Sequence, residues 1–374
     1  MSTRARPQHP SLRGVFWFLM HRSLLDQYTN RLTPRDFLLY LIYIRCAVHH
    51  RATTEKCFAV AIACMQRRAA MGNRWIYQKL SRRKHSALFV PPENLQGIFM
   101  YKRVLLALDL EGVNRVTGEP YSGLSRNTEQ WFVARAQAAL EINAAAEALF
   151  DAGVEKVGLW DNHGGGNNVD GAALDEGITS ICPVPNTPRM SFADNEYDCI
   201  CYFGYHAMEG TLGGVLAHTM SSKVVQHYKL NGSYIGEIDM DAYIAAEKGM
   251  PSRFFAGGDI TCAQARRAVK EIVTVTTKQE LSRNEAVFRE NEELFADIRR
   301  EIVQAVKTTA DPHRLQFPAT FEKSFKRVED AGNYLTRLRS VGICADYPDD
   351  EILGKDAHTV VSTVHNIDDF IACI

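Results

Sequence analysis

Three short strand-like segments, 104–108, 154–160 and 199–203, each lead within a few residues into side chains that can bind a cation. Val104-Leu-Leu-Ala-Leu108 has no polar residue at all, which suits a strand covered on both faces, as in a parallel sheet, rather than one with a wet face. Open α/β sheets bind ligands beyond the carboxyl ends of their strands. The arrangement therefore constrains fold and chemistry together.

Between these segments the pattern alternates strand and helix. A long helix is predicted from about Asn127 to Ala152, with Ser125 or Asn127 as its cap and Gly153 closing it. Further helices are expected over Ile238–Lys248, ended by Gly249, over Gln264–Glu271 and over Glu285–Lys307, and a further strand over Arg253–Ala256. This alternation implies an α/β fold, a three-layer sandwich around a mainly parallel central sheet. Beyond about residue 311 short strands at Leu315–Phe317, Thr320–Phe325 and Thr359–Val364 mix with helices, so a smaller α+β C-terminal portion is expected after a core of about 100–310.

Residues 1–99 read differently. They hold 16 of the 43 basic and 4 of the 44 acidic residues, a net +12, and leave the rest at −13. Their cations are scattered among apolar runs, and they show neither strand nor helix periodicity. The longest of those runs, Phe37–Ile44, is far shorter than the roughly 20 residues a spanning helix needs. No nucleic-acid partner and no membrane association are expected, nor is a secretory signal, and a cytoplasmic protein is predicted. The segment ends in the linker-like Pro91-Pro-Glu-Asn-Leu-Gln-Gly97 just before Met100, so it is read as a basic extension outside the functional fold, with 100–374 as the functional domain. The nine cysteines contain no Cys-x-x-Cys pair and are read as reduced core residues; Cys199 and Cys201 would share one strand face.

The chemistry collects in five places. Asp109 and Glu111, two residues apart on extended chain, project to one side while Leu110 turns inward. Two carboxylates so placed repel unless a cation lies between them. Asp161-Asn-His163 precedes Gly164-Gly-Gly166, and could deliver both Asp161 and His163 or use Asp161 to cap a turn. His206 follows Phe203-Gly-Tyr205, His218 lies in Gly213-Gly-Val-Leu-Ala-His-Thr-Met220, and Glu237 opens a helix after Gly236. Each is modest alone, and a buried histidine is commonly only hydrogen-bonded. Together two histidines and three carboxylates make a nitrogen and oxygen set suited to zinc. His227, His313, His358 and His365 have no such setting and are read as surface or structural.

Taken in order, these segments resemble the D-aminopeptidases of the bacterial dipeptide-transport operon, self-compartmentalising dizinc peptidases. The similarity lies in Asp109-Leu-Glu-Gly112 after a short strand, Asp161-Asn-His163 (serine replaces Asn162 in the family), Gly204-Tyr-His-Ala207, Gly214–Met220, Gly236-Glu237 and Lys278-Gln-Glu-Leu-Ser-Arg283. It covers Met100 to about the C-terminus. The resemblance implies that Asp109, Glu111, His163, His206 and Glu237 hold two Zn2+ ions per subunit and that His218 is the catalytic histidine. It further implies a short peptide as substrate, D-amino-acid-containing and cut at its free amino terminus, and a ring-like homo-oligomer, plausibly a decamer. Lys278 is expected at the surface, electrostatic support of the site being the second reading. The competing functions are a dinuclear metallophosphoesterase, which would want His-x-His and Gly-Asp-x-x-Asp elements, and a non-catalytic metal-dependent binding or scaffold protein.

Overall fold

The computed structural model describes residues 100–120, 123–182 and 187–374. The boundary expected near residue 99, and the character of 1–99, lie outside these residues. In chain order the elements are β1 (Arg103–Leu108), α1 (Glu129–Asp151), β2 (Lys156–Asp161), β3 (Ile178–Ile181), β4 (Cys199–Phe203), β5 (Val225–Leu230), β6 (Ser233–Ile235), α2 (Glu237–Glu247), β7 (Ser252–Gly257), α3 (Asp259–Ala268), β8 (Val273–Thr276), β9 (Lys278–Ser282), β10 (Glu285–Phe288), α4 (Asn291–Val306), β11 (Ala319–Phe325), α5 (Val328–Ser340), β12 (Ala345–Asp346), β13 (Asp349–Asp350), β14 (Gly354–Lys355), β15 (Thr359–Val364) and α6 (Ile367–Cys373).

The central sheet has six strands in the order β3-β2-β1-β4-β7-β8, every pairing parallel. β1 is buried from Val104 to Leu108, as its unbroken apolar run requires. Its odd and even residues serve two cores. Val104, Leu106 and Leu108 pack with Ala134, Ala138 and Ile142 of α1 and Leu294, Ile298 and Ile302 of α4. Leu105 and Ala107 face Ile238 and Ile244 of α2, Cys262 and Ala265 of α3, and the inner side of a second sheet. This is the expected three-layer α/β architecture. Cys199 and Cys201 are free, buried and on one face of β4.

The chain leaves β1 in one direction through β2 to β3, then returns to lay β4 on the other side of β1. The sheet thus reverses between β1 and β4, and a crevice opens above their carboxyl ends, where such folds place ligands.

Several boundaries differ from expectation for local reasons. α1 is capped by Thr128, whose hydroxyl accepts from the Trp131 amide at 3.2 Å, while Asn127 sits before it at φ +70°. Its other end closes as expected, with Gly153 at φ +94° and the Val154 and Gly153 amides bonded back to the Leu149 and Phe150 carbonyls. α3 begins at Asp259 directly after Gly258, earlier than the Gln264 expected. The helix placed at 285–307 starts only at Asn291, because Glu285–Phe288 pairs with β9 as a hairpin. Leu315–Phe317 is not a strand. The second sheet, ordered β12-β15-β11-β5-β6 and antiparallel, draws β5 and β6 from well before residue 311. Among the described residues no helix is long and apolar enough to cross a membrane.

Candidate metal centre

The loops after β1 and β4 are pressed together. The Asp109 amide donates to the Phe203 carbonyl at 2.8 Å and the Gly112 amide to the Gly204 carbonyl at 2.6 Å. A Cβ on Gly112 would lie 2.0 Å from the Tyr205 carbonyl oxygen, and one on Gly204, at φ +70°, 2.0 Å from that of Asp109. Only glycine permits this approach. Asp109 and Glu111 are thereby held beside His206, with Leu110 fully buried between them.

β2 brings the third loop. Its last residue, Asp161, does not join the cluster: its carboxylate accepts from the Asn168 amide at 2.5 Å, the Asn168 side chain at 2.9 Å and the Val169 amide at 3.1 Å, closing the glycine turn. Of the two readings of Asp161, the structure takes the turn-holding one. His163 then points inward, its Nδ1 3.0 Å from Asp109 Oδ1 and 3.1 Å from Glu111 Oε2.

His206 donates Nδ1–H to the Ala207 carbonyl at 3.1 Å, which turns Nε2 towards Asp109 Oδ2 at 3.5 Å and Glu237 Oε1 at 3.3 Å. Glu237 is the first residue of α2, where the helix dipole favours a carboxylate, and its Oε1 also accepts from the Met220 amide at 2.7 Å.

The five groups therefore divide into two sets that share one residue. Asp109 with Glu111 and His163, and Asp109 with His206 and Glu237, each offer ligand atoms within 4.8 Å of one another. The two oxygens of Asp109 face opposite ways, one to each histidine. Asp109, Glu111, His206 and Glu237 are all buried. Three buried carboxylates at this spacing need positive charge among them. A divalent cation or protons on the histidines can supply it. Burial works against a charged His163, yet Glu111 and Asp109 hold its pKa at about 12. His206 is likewise held at about 10, chiefly by Glu237 against the cost of burial. Burial, reinforced by Glu111, pushes Asp109 up to about 7. A buried set of imidazole nitrogens and carboxylate oxygens at this spacing fits zinc.

His218 stacks on His206, ring centroids 3.8 Å apart and planes 11° from parallel, and shares a third grouping with Glu111 and His206. Its Nδ1–H donates to the Leu216 carbonyl at 2.8 Å. Burial and the neighbouring His206 lower its pKa.

Residues that support the cluster were harder to foresee. Lys278, expected at the surface, is fully buried on β9; its ammonium donates to the carbonyls of Glu111 (2.5 Å), Val113 (3.1 Å) and Val116 (2.5 Å) and so clasps the loop that carries Asp109 and Glu111. Behind His206, the Tyr205 hydroxyl donates to Asp241 at 2.6 Å and receives the Asn162 side chain at 3.2 Å, while Arg189 forms a bidentate pair with Asp241. The available signal for Lys278 was the alternation in β9, where Lys278 and Glu280 point in and Gln279 and Leu281 out. Of the histidines set aside, His227 on β5 meets Glu322 at 3.3 Å, and His358, in the turn before β15, meets the Phe325 carbonyl at 3.1 Å.

Comparison with known proteins agrees with this geometry. A curated D-aminopeptidase of Bacillus subtilis (strain 168) is 26% identical over 185 residues, 49% of this chain and 65% of its own length, so the chain spans a little under two thirds of that relative. The Zn-dependent D-aminopeptidase DppA from Bacillus subtilis, described as a self-compartmentalizing protease, superposes with a TM-score of 0.63 at 19% identity, covering 72% of this chain and 94% of that one, and shares its fold. The family model described as D-aminopeptidase matches residues 102–340, a span that holds the whole cluster, and the chain belongs to that family.

Proposed function

We propose that the chain is a zinc-dependent aminopeptidase that hydrolyses short, D-amino-acid-containing peptides at their free amino terminus. The observation that carries the reading is Asp109, whose two oxygens serve two separate groups of ligands. In this reading Asp109, Glu111 and His163 hold one Zn2+ and Asp109, His206 and Glu237 the other. Bound zinc would supply Lewis acidity towards the scissile carbonyl and lower the pKa of water to near neutrality.

His218 moves the proton. Because Nδ1–H is committed to the Leu216 carbonyl, the neutral ring carries its lone pair on Nε2. That atom can take a proton from attacking water and return it to the departing amine. Stacking on His206 keeps the ring plane fixed beside the cluster. Burial of the carboxylates keeps competing water from screening the reacting charges.

The relative described as self-compartmentalizing supports a homo-oligomer, for which we take a ring-like decamer; the cytoplasmic location is a reading of the sequence. Residues 1–99 lie outside the matched span, which supports their being dispensable for the site.

The test is hydrolysis of D-Ala-containing dipeptides. The purified protein should lose it to a strong chelator and recover it with zinc, while His218→Ala should keep its zinc and lose turnover by about 100-fold or more. Activity indifferent to the chelator would end the proposal. Light scattering should give about ten times the 42.0 kDa chain mass.

A further inference from the structure

We propose that Glu280 is a positioning residue that sets His218 through the turn at 214–217, an inference that rests on His218 being catalytic. His218 lies in a stretch without regular secondary structure, bracketed by two non-glycine residues in the left-handed region, Leu216 at φ +51° and Met220 at φ +61°. Such backbone persists only where its surroundings over-determine it.

Here they do. The His218 amide donates to the Ala207 carbonyl at 3.1 Å, the Leu216 amide to the Arg283 carbonyl at 2.8 Å, and the Arg283 guanidinium to the Ala217 carbonyl at 2.7 Å. The Val215 amide donates to Glu280 Oε1 at 2.8 Å. The carbonyl that orients the His218 ring, that of Leu216, thus belongs to the residue next to the one Glu280 holds.

Glu280 is itself anchored. Its other oxygen accepts from the Thr261 amide at 3.1 Å and the Thr261 hydroxyl at 3.2 Å, in the first turn of α3, and its own amide donates to Asp259 at 2.7 Å. It is 6% exposed and packs so closely on Gly258 that a Cβ there would come within 2.2 Å of Oε2. A buried carboxylate accepting two amide N–H bonds and a hydroxyl is a strong, directional anchor. One strand therefore steadies both halves of the site: Lys278 holds the Asp109–Glu111 loop and, two residues on, Glu280 holds the His218 turn.

A double-mutant cycle on the full chain tests this, reading kcat, KM and zinc content for Glu280→Ala, Glu280→Gln, His218→Ala and the combinations. Glu280→Ala should lower kcat about 10-fold or more, with KM within about twofold and zinc content unchanged, and should lower it no further in the His218→Ala background. Glu280→Gln keeps one acceptor for the Val215 amide and should stay nearer the parent. Equal fractional losses in both backgrounds, or no loss, overturn the proposal. Amide exchange over 213–218 serves as a second arm: Glu280→Ala should speed it by about 10-fold or more while β1 and β4 stay protected. If the parent shows no chelator-sensitive hydrolysis, the aminopeptidase reading fails by itself; unchanged exchange still overturns the role of Glu280.

Discussion

Replacing Lys278 by Met tests whether a single buried cation organises the loop that carries Asp109 and Glu111. Methionine preserves the length and apolar contacts of the stem and removes the ammonium. The carbonyls of Glu111, Val113 and Val116 then lose their donor inside the fold. Each acceptor left without a partner costs about 1–3 kcal/mol. The low end applies, because the loop can shift and because removing the ammonium relieves its own burial, which pushes its pKa down to about 8 against the pull of Glu280, Glu141 and Glu111. Three acceptors at about 1 kcal/mol give a loss of roughly 3 kcal/mol, or about 5–6 °C in Tm for a domain of this size. The same loop carries Glu111, so zinc affinity should fall by about 10- to 100-fold, as when a metal ligand loses its support. Thermal unfolding with and without zinc, together with competitive zinc titration, reads both effects. A variant melting within about 2 °C of the parent in both states, with unchanged zinc affinity, would refute the idea that Lys278 organises the loop.

The shared carboxylate predicts unequal stoichiometries: after dialysis, elemental analysis should find about two zinc ions per chain in the parent, about one in Glu111→Ala and in Glu237→Ala, and almost none in Asp109→Ala. A full complement in Asp109→Ala would show that it does not bridge. Gly204→Ala forces a Cβ to 2.0 Å from the Asp109 carbonyl oxygen at φ +70°, and should cost about 3 kcal/mol or more or yield no soluble protein; parental stability would mean the two loops do not meet. Glu141 is pushed up to about 7 by burial, against its partners Gln137 and Asn114, from the usual 4.5. The folded state therefore binds more protons than the unfolded one between those values, and this group's contribution, complete below about 4.5, is lost as pH rises through about 7. Glu141→Gln, neutral throughout, should gain on the parent across that window by up to roughly 3 kcal/mol, as denaturant midpoints at pH 5 and pH 8 would show; an equal difference at both pH values would contradict the assignment.

Sequence and fold met most closely where one local rule decided the outcome. An apolar run without polar alternation forced β1 and β4 into a sheet covered on both sides, and period-two geometry put Asp109 and Glu111 on one side of the chain with Leu110 in the core. The same locality explains the errors. Glu285–Phe288 has helix-compatible composition, and only its pairing with β9 made it a strand. β5 alternates weakly and acquired its place from β11, nearly a hundred residues later, and β6 pairs onto β5 at the edge.

By itself the sequence determined which side chains stand at the strand ends, because strand burial and side-chain alternation are settled within a few residues. Tertiary structure alone decided that Asp161 turns away to close a loop while His163 turns in, that Asp109 faces two histidines at once, and that Lys278 goes inside. Those outcomes depend on which strands become neighbours at the reversal between β1 and β4, and on donors and acceptors more than 150 residues apart finding each other where water is excluded.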